Sequence, residues 1–265
     1  MTSQHQQQQA AQGSRHVFRR WLFAADSGLV VNLDDRPREQ ATDHARQLAG
    51  LIREHSDDGS FAGVRDLVPG LTNLLIQYDS LVTEPEELIR QTEPLLEKLG
   101  TMAAVPARCW EMPVIYGGAY GPDLEDVSAT LGLTEDEVVS CHQARELEVS
   151  IMGFLPGLGY LTGMDEVLAL PRRSSPRQKV PPRSVAIAMT QSVIYPLESP
   201  GGWHLLGRVP FELFDPRRDE PVLLRPGDRI RFYAVSEAEF LQLEEAAANG
   251  TWQIMPQTQD VGKPS

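Results

Sequence analysis

The amino-acid sequence predicts a small α+β domain followed by a compact domain of short strands, either a barrel or a sandwich. The chain has 265 residues, which allows two domains of ordinary size. Between Pro106 and Ile230 lie 14 of the 20 prolines and 12 of the 21 glycines. Short apolar runs punctuated by these residues are typical of barrels and sandwiches. The stretch before Gly100 instead alternates short strands with amphipathic helices, which favours an α+β domain.

We divide the chain into four segments on this basis. Residues 1–16 are rich in glutamine and carry few apolar groups, so we expect a disordered leader. Residues 17–105 are predicted to form the α+β domain, and residues 106–235 the domain of short strands. Residues 236–265 are predicted to form a C-terminal helix and tail.

The α+β domain is predicted to contain two strand pairs and two helices. Each strand pair surrounds a turn dipeptide, Ser27-Gly28 or Pro69-Gly70. The second helix is expected to be capped by Thr83 with Glu86, and to be kinked by Pro94. The predicted strands are Trp21–Phe23, Leu29–Leu33, Val64–Val68 and Asn73–Tyr78, and the first predicted helix is Glu39–Glu54.

Two short helices open the second domain. Pro122 suits the first position of one helix, and Gly132 suits its end. Thr134 with Glu137 forms a capping box for the next helix. The last two predicted elements are a closing strand over 229–234 and a helix that begins at Ser236.

The charge of the chain excludes several classes of partner. The formal net charge is −13, and the chain after residue 20 carries −16, because the first twenty residues hold three arginines and no acidic residue. Such a chain repels phosphate backbones, which argues against non-specific binding to nucleic acid or to anionic membranes. The predicted helix pair resembles a helix-turn-helix, but residues 123–137 contain six acidic residues and no basic one.

The cysteine content and the apolar runs indicate a cytoplasmic protein without a metal site. The two cysteines are too few and too isolated for a disulfide scaffold or a structural zinc site. The longest uncharged stretches have 14 residues and are broken by proline or glycine, so no membrane-spanning helix is expected.

A candidate site lies between residues 151 and 210, where polar side chains share loops that are rich in proline and glycine. Such rigid loops allow backbone N–H groups to approach a ligand. An equally good interpretation is that these glycines form tight turns and the aromatic residues form core. The residues of the candidate substrate-binding site are Arg177, Gln191, Tyr195, Gly201, Gly202, Trp203 and Arg208.

No catalytic residue can be assigned from the pattern. Cys141 and His142 are neighbours in a predicted helix, so their side chains point about 100° apart and cannot act as a nucleophile and its base. We therefore expect a structural role for His142. The chain lacks the GxxxxGK[ST] phosphate loop and the dinucleotide fingerprint.

Several motifs resemble one family. They are IYP (194–196), SPGGW (199–203), GR (207–208) with Pro210, GFLPG (153–157) with YL (160–161), two Pro-Arg pairs, and GVRDLVPGLTNLLIQYD (63–79), with His142 just upstream of GFLPG. This pattern resembles the family of KipI, the PxpB subunit of 5-oxoprolinase and allophanate hydrolase subunit 1. The resemblance covers roughly residues 21–235.

The resemblance implies a fold, an activity and partners. The fold is an α+β N-terminal domain followed by a cyclophilin-like β-barrel. The activity is ATP-dependent opening of 5-oxo-L-proline to L-glutamate, carried out with a subunit 2 (PxpC-like) protein and a LamB/YcsF-like (PxpA) subunit. The chain alone is expected to be inactive.

Within this activity the candidate residues have expected roles. Gln191, Tyr195 and the N–H groups of Gly201 and Gly202 would donate hydrogen bonds to the reacting carbonyl. Trp203 would line the site. A guanidinium binds a carboxylate or a phosphate through two hydrogen bonds, which is the role expected of Arg177 or Arg208.

The sequence departs from the family pattern at several positions. Glycine is favoured in the family where Arg183, Ala186 and Met189 stand, Phe-Pro where 158–159 stand, and Tyr-Arg where 147–148 stand. Larger side chains beside Gln191 reshape a pocket there. Two alternatives to 5-oxoprolinase therefore stay open: a subunit of an allophanate or urea-amide complex, and a KipI-like inhibitor of a histidine kinase.

Overall fold

A computed structural model describes residues 20–56, 58–100 and 107–258 of the chain. These residues form two compact units, one before and one after the segment 101–106. The predicted leader, 1–16, lies outside the described residues. Among the helices that the structure describes, none combines the length and the apolar character that crossing a membrane requires.

The first unit is a four-stranded antiparallel sheet with two helices. Its strand order is β1-β2-β4-β3, so both predicted strand pairs are present. Leu29 and Val31 alternate on one face of their strand and are fully buried in the same cluster as Leu48 and Ile52 of the first helix. The elements are β1 (Trp21–Ala24), β2 (Gly28–Asn32), α1 (Arg38–Ser56), β3 (Val64–Pro69), β4 (Asn73–Tyr78) and α2 (Pro85–Leu96).

The predicted Thr83 cap of α2 is wrong. The N-cap is Glu84, whose backbone is extended and whose side chain makes no capping hydrogen bond. The residue before a proline is disfavoured in the helical conformation, so α2 begins only at Pro85, where the missing N–H costs nothing. Pro94 does lie inside the helix, which ends at Leu96.

The second unit is built on a closed seven-stranded barrel. The strand order is β12-β9-β10-β7-β6-β13-β5, and β5 pairs back with β12, so the sandwich alternative is excluded. All of these pairs are antiparallel except β13 with β5. The barrel strands are β5 (Arg108–Tyr116), β6 (Leu147–Met152), β7 (Gly159–Thr162), β9 (Ser184–Ala188), β10 (Gln191–Ile194), β12 (His204–Arg208) and β13 (Arg229–Ala234).

Further elements surround the barrel. The Thr134 capping box and the left-handed Gly132 cap are as predicted, whereas Pro122 lies before the helix rather than in it. The Ser236 hydroxyl accepts a hydrogen bond from the Glu239 N–H, as predicted for the last helix. These elements are α3 (Leu124–Leu131), α4 (Glu135–Gln143), a 3₁₀ turn (Glu166–Leu168), β8 (Arg177–Val180), β11 (Ser199–Gly201), α5 (Glu237–Ala248) and β14 (Gln257–Thr258).

Barrel closure depends on the glycine of the GR motif. Gly207 pairs with Tyr116 of β5 and with Val185 of β9. A Cβ atom on Gly207 would collide with the carbonyl oxygen of Ile115. No larger residue fits where β12 joins β5, so this motif has a structural reason that is independent of any ligand.

Two of the positions where the family favours glycine have left-handed backbone here. The φ angle is 67° at Arg183 and 54° at Met189, a region that costs an L-residue roughly 1–2 kcal/mol. Met189 lies in the tight turn between β9 and β10, and its side chain is 57 % exposed. The side chain of Met189 therefore contributes little that offsets the backbone strain.

We expect Met189→Gly to raise the free energy of unfolding by about 1 kcal/mol, because glycine adopts this conformation without strain. Thr190→Gly is the matched control, since the neighbouring residue is exposed and has no positive φ. Urea unfolding of the three proteins measures the effect. A stability of Met189→Gly equal to or below that of Thr190→Gly would contradict this explanation of the family's glycine.

Candidate functional site

A second apolar cluster lies on the outer face of the barrel and contains much of the predicted site. Side chains of β9 alternate, so that Val185 and Ile187 face the barrel interior while Ala186 and Ala188 face outward. The two-stranded sheet of β8 and β11 packs on this outer face through Val180. The buried members of the outer cluster are Leu158, Val180, Ala186, Ala188, Val193, Tyr195, Trp203 and Leu205.

Tyr195 and Gly201 meet in this cluster. A Cβ atom on Gly201 would lie 2.5 Å from the Tyr195 hydroxyl oxygen and 3.0 Å from Val180 Cγ2, so only glycine allows β11 to pack there. Burial, with a smaller contribution from Tyr160, raises the pKa of Tyr195 to about 12. The hydroxyl of Tyr195 is therefore protonated at neutral pH and available as a hydrogen-bond donor.

Trp203 forms the neighbouring wall of the site. Its ring centroid lies 6.0 Å from that of Tyr160, and the guanidinium carbon of Arg172 lies 5.8 Å from the Trp203 ring centroid. Gly202, the residue before it, accepts a 2.7 Å hydrogen bond from the N–H of Arg173 through its carbonyl oxygen. Tyr195, Gly201, Gly202 and Trp203 are thus brought together as the prediction required.

Arg177 is engaged inside the protein. Both of its terminal nitrogens donate to the carboxylate of Asp123, at 2.8 Å and 2.6 Å. Arg173 Nη1 donates to the same carboxylate at 2.7 Å, and so does the N–H of Leu205, also at 2.7 Å. The anion that Arg177 holds in this structure is therefore the side chain of Asp123.

Asp123 is almost completely buried, with 1 % of its surface exposed. Burial by itself would raise the pKa of its carboxyl, but the hydrogen bonds from Arg177 and Leu205, with the charges of Arg177 and Arg173, lower it on balance. We expected Asp123 to complement the dipole of α3, and instead its side chain makes no capping hydrogen bond. It joins the segment around β8 to β12.

Gln191 lies on the same outer face, further along β10. Residues 191, 193 and 195 point to one side of the strand, and four residues of strand span about 13 Å, so Gln191 lies well away from Tyr195. Its Nε2 atom is buried and has no hydrogen-bond partner in the described structure. Ser199 Oγ is in the same condition. Both atoms remain candidate donors to a ligand.

Arg208 does not join this group. Its guanidinium carbon lies 5.6 Å from the ring centroid of Tyr120, which packs against Phe240 of α5. Burial, followed by the nearby Arg183 charge, lowers the pKa of Arg208. Within the described residues, Arg208 contacts α5 and Tyr120 rather than the Trp203 wall.

Sequence reasoning missed Arg172. Its side chain is exposed, and among the described residues it makes neither an ion pair nor a hydrogen bond. The sequence places three arginines at 172, 173 and 177, and nothing in their spacing shows which of them pairs with an acidic residue. The signal for Arg172 is therefore only that it stands in a cationic segment.

His142 lies inside the barrel. Its ring stacks on Phe232 with centroids 4.7 Å apart, and its nitrogens lie 2.8 Å from the Tyr116 hydroxyl and 3.1 Å from Ser192 Oγ. Ser192 donates onward to the carbonyl oxygen of Ala186. One neutral tautomer satisfies all of these groups, with Tyr116 donating to Nδ1 and Nε2–H donating to Ser192. The structural role expected for His142 is confirmed by this geometry.

An open groove of about 690 Å³ lies elsewhere on the second unit, between the loop after β12 and the C-terminal segment. Its floor is aromatic, formed by Trp110, Phe211 and Trp252. The arginines that line it are paired with carboxylates: Arg108 with Asp228, Arg183 with Glu244, and Arg217 and Arg218 with Asp215. None of the predicted site residues lines this groove.

Comparison with known proteins identifies the class of this chain. Residues 19–224 match the family described as the carboxyltransferase domain, subdomain C and D, and the chain belongs to that family. A relative from Bacillus subtilis (strain 168), named as the B-type subunit of 5-oxoprolinase, is 35 % identical over 230 residues, which cover 83 % of this chain and 94 % of the relative.

Solved structures agree with the fold. The structure of TTHA0988 is 36 % identical with a TM-score of 0.68, and the match covers 79 % of this chain. The chain spans 40 % of the length of that protein. The urea carboxylase of Kluyveromyces lactis is 17 % identical, with a TM-score of 0.72 over 90 % of this chain and 24 % of the urea carboxylase chain, and it shares the fold.

We expect Arg177→Met to lower the free energy of unfolding by about 3 kcal/mol, because Asp123 would remain buried with only part of its compensation. Arg90→Met is the matched control, since Arg90 makes only an exposed pair with Glu87, and such pairs contribute about 0–1 kcal/mol. Chemical denaturation measures both. Equal losses in the two variants would show that the Asp123 contacts carry no special weight.

The stability of the protein in acid is expected to depend on His142. Burial lowers the pKa of His142 from 6.5 to about 4, so the unfolded chain binds a proton at higher pH than the folded chain does. Stability is therefore fully present above pH 6.5 and falls as the pH drops from 6.5 towards 4, by up to about 3 kcal/mol.

His142→Gln is expected to flatten this part of the pH profile, because glutamine does not titrate. His204→Gln, which changes a histidine outside the barrel core, should keep the profile of the unaltered protein. Thermal unfolding at a series of pH values between 6.5 and 4 makes the comparison. The same slope in His142→Gln as in the unaltered protein would refute the assignment.

Proposed function

We propose that this chain is the PxpB subunit of an ATP-dependent 5-oxoprolinase complex that opens 5-oxo-L-proline to L-glutamate. The observation that carries the proposal is the match to the 5-oxoprolinase subunit from Bacillus subtilis, which extends over 94 % of that relative. Matched length favours an equivalent role more strongly than the fold does, because one fold serves many functions.

The outer-face cluster suits the chemistry of a lactam. A five-membered lactam is a poor electrophile, so opening it requires stabilisation of the charge that develops on its carbonyl oxygen. The protonated hydroxyl of Tyr195 is a donor beside an apolar wall, where a hydrogen bond to developing charge is stronger than in water. Gln191 Nε2 is a second donor on the same face. In this proposal Tyr195 orients and polarises the amide.

ATP and the remaining proteins belong to the assembled complex in this proposal. The partners are a subunit 2 (PxpC-like) protein and a LamB/YcsF-like (PxpA) protein, with cytoplasmic localisation. The groove beside Trp252 is a poor match for a triphosphate, because carboxylates already pair with its arginines. We therefore give no residue of this chain a role in binding ATP.

Reconstitution tests the proposal. We expect the isolated chain to form no glutamate, and the chain with its two partner proteins to form glutamate from 5-oxo-L-proline only when ATP is present. The measurements are glutamate release and ATP hydrolysis. Activity of the isolated chain, or a stable complex that leaves 5-oxo-L-proline unchanged, would contradict the proposal.

Tyr195→Phe in the complex locates the chemistry. Loss of a donor to the developing charge typically lowers kcat by a factor on the order of 10²–10³. Tyr233→Phe is the matched control, because Tyr233 is on β13 and partly exposed. A kcat for Tyr195→Phe close to that of Tyr233→Phe would place the chemistry away from the outer-face cluster.

A further inference from the structure

Arg172 differs from the other cations of its segment. Arg173 and Arg177 share the carboxylate of Asp123, and Lys179 pairs with Glu198 at 3.0 Å. Arg172 alone among these four has no acidic partner in the part of the chain that the structure describes. The residues from 171 to 183 contain no aspartate or glutamate. The face around Arg172 is therefore locally cationic on a chain of net charge −13.

Aromatic residues hold this guanidinium at the predicted site. The 5.8 Å distance to the Trp203 ring is a cation–π contact, which leaves the N–H groups of the guanidinium free to donate outward. The Arg172 charge also acts on the hydroxyl of Tyr195, which places the two groups in one electrostatic environment. The Tyr195 hydroxyl has no hydrogen-bond partner among the described residues.

We propose that Arg172, Trp203 and Tyr195 form a subsite that binds a small amide bearing a carboxylate. Arg172 pairs with the carboxylate, Tyr195 donates to the amide carbonyl oxygen, and Trp203 holds the guanidinium in place. This assignment replaces Arg177 and Arg208 in the role that sequence reasoning gave them. The identity of the ligand as 5-oxo-L-proline rests on the proposed function, whereas the chemical class rests on the subsite itself.

The chemistry of the three residues explains why this class fits. A planar guanidinium binds carboxylates through two parallel hydrogen bonds, and it does so more strongly where water is partly excluded. An un-ionised phenol beside it accepts no proton from the amide and does not repel the carboxylate. A cationic nucleobase or an amine would instead meet an unopposed positive charge.

Binding of three small molecules to the full-length chain tests the subsite. The probes are 5-oxo-L-proline, pyrrolidin-2-one, which is the same ring without the carboxylate, and N-carbamoylglycine, a urea-type amide with a carboxylate. We expect Arg172→Gln to weaken binding of the acids by about tenfold, which corresponds to one charge-assisted hydrogen-bonded pair. Binding of pyrrolidin-2-one should not change.

Arg90→Gln is the matched control, because it removes an exposed arginine from the first unit. Ligand-observed NMR or calorimetry gives the affinities. Acid affinities of Arg172→Gln within twofold of those of Arg90→Gln would overturn the subsite. Failure of the unaltered chain to bind either acid at millimolar concentration would overturn it as well.

The probes separate this inference from the proposed function. If N-carbamoylglycine binds in an Arg172-dependent way while 5-oxo-L-proline does not, the subsite stands and the 5-oxoprolinase assignment fails. If the reconstituted complex opens 5-oxo-L-proline with an unchanged KM in Arg172→Gln, the function stands and the subsite fails.

Discussion

The buried carboxylate of Asp123 joins three parts of the second unit through four hydrogen bonds. It accepts from Arg173, twice from Arg177, and from the N–H of Leu205, so the segment before β8, β8 itself and β12 are all tied to the start of α3. A buried charge of this kind is tolerated only when its partners satisfy it completely. The small sheet of β8 and β11 therefore has one position on the barrel.

That position creates the candidate site. With β8 held by Asp123, Val180 and Gly201 pack against Tyr195, and Gly201 must lack a side chain for the contact to form. Because the one buried carboxylate occupies two arginines, the third arginine of the segment, Arg172, remains without an acidic partner beside Trp203 among the described residues. The structural ion pairs and the cationic subsite are thus consequences of the same arrangement.

Local features of the sequence were predictable because they depend on near neighbours. The Thr134 capping box, the Gly132 cap and the Ser236 cap each involve residues within a few positions, and all three are present. The choice of a barrel over a sandwich was not predictable, since it depends on β5 pairing with β12, about ninety residues later along the chain. The Thr83 cap failed because Pro85 constrains Glu84, a local effect that outweighs the capping pattern.

The site divides along the same line. Tyr195, Gly201, Gly202 and Trp203 lie within nine residues on successive strands, so sequence proximity already implied that they would meet. The assignment of Arg177 depended instead on Asp123, which is 54 residues away and carried no signal of its pairing. Whether a given arginine meets an internal carboxylate or a ligand is decided by tertiary packing, and spacing alone does not reveal it.

The most direct test of the central claim is a crystal structure of the full-length chain with 5-oxo-L-proline. The predicted result is electron density beside Trp203, with the ligand carboxylate within hydrogen-bond distance of Arg172 and the lactam oxygen facing the Tyr195 hydroxyl. Density for the ligand in the groove beside Trp252, or with its carboxylate on Arg208, would contradict it.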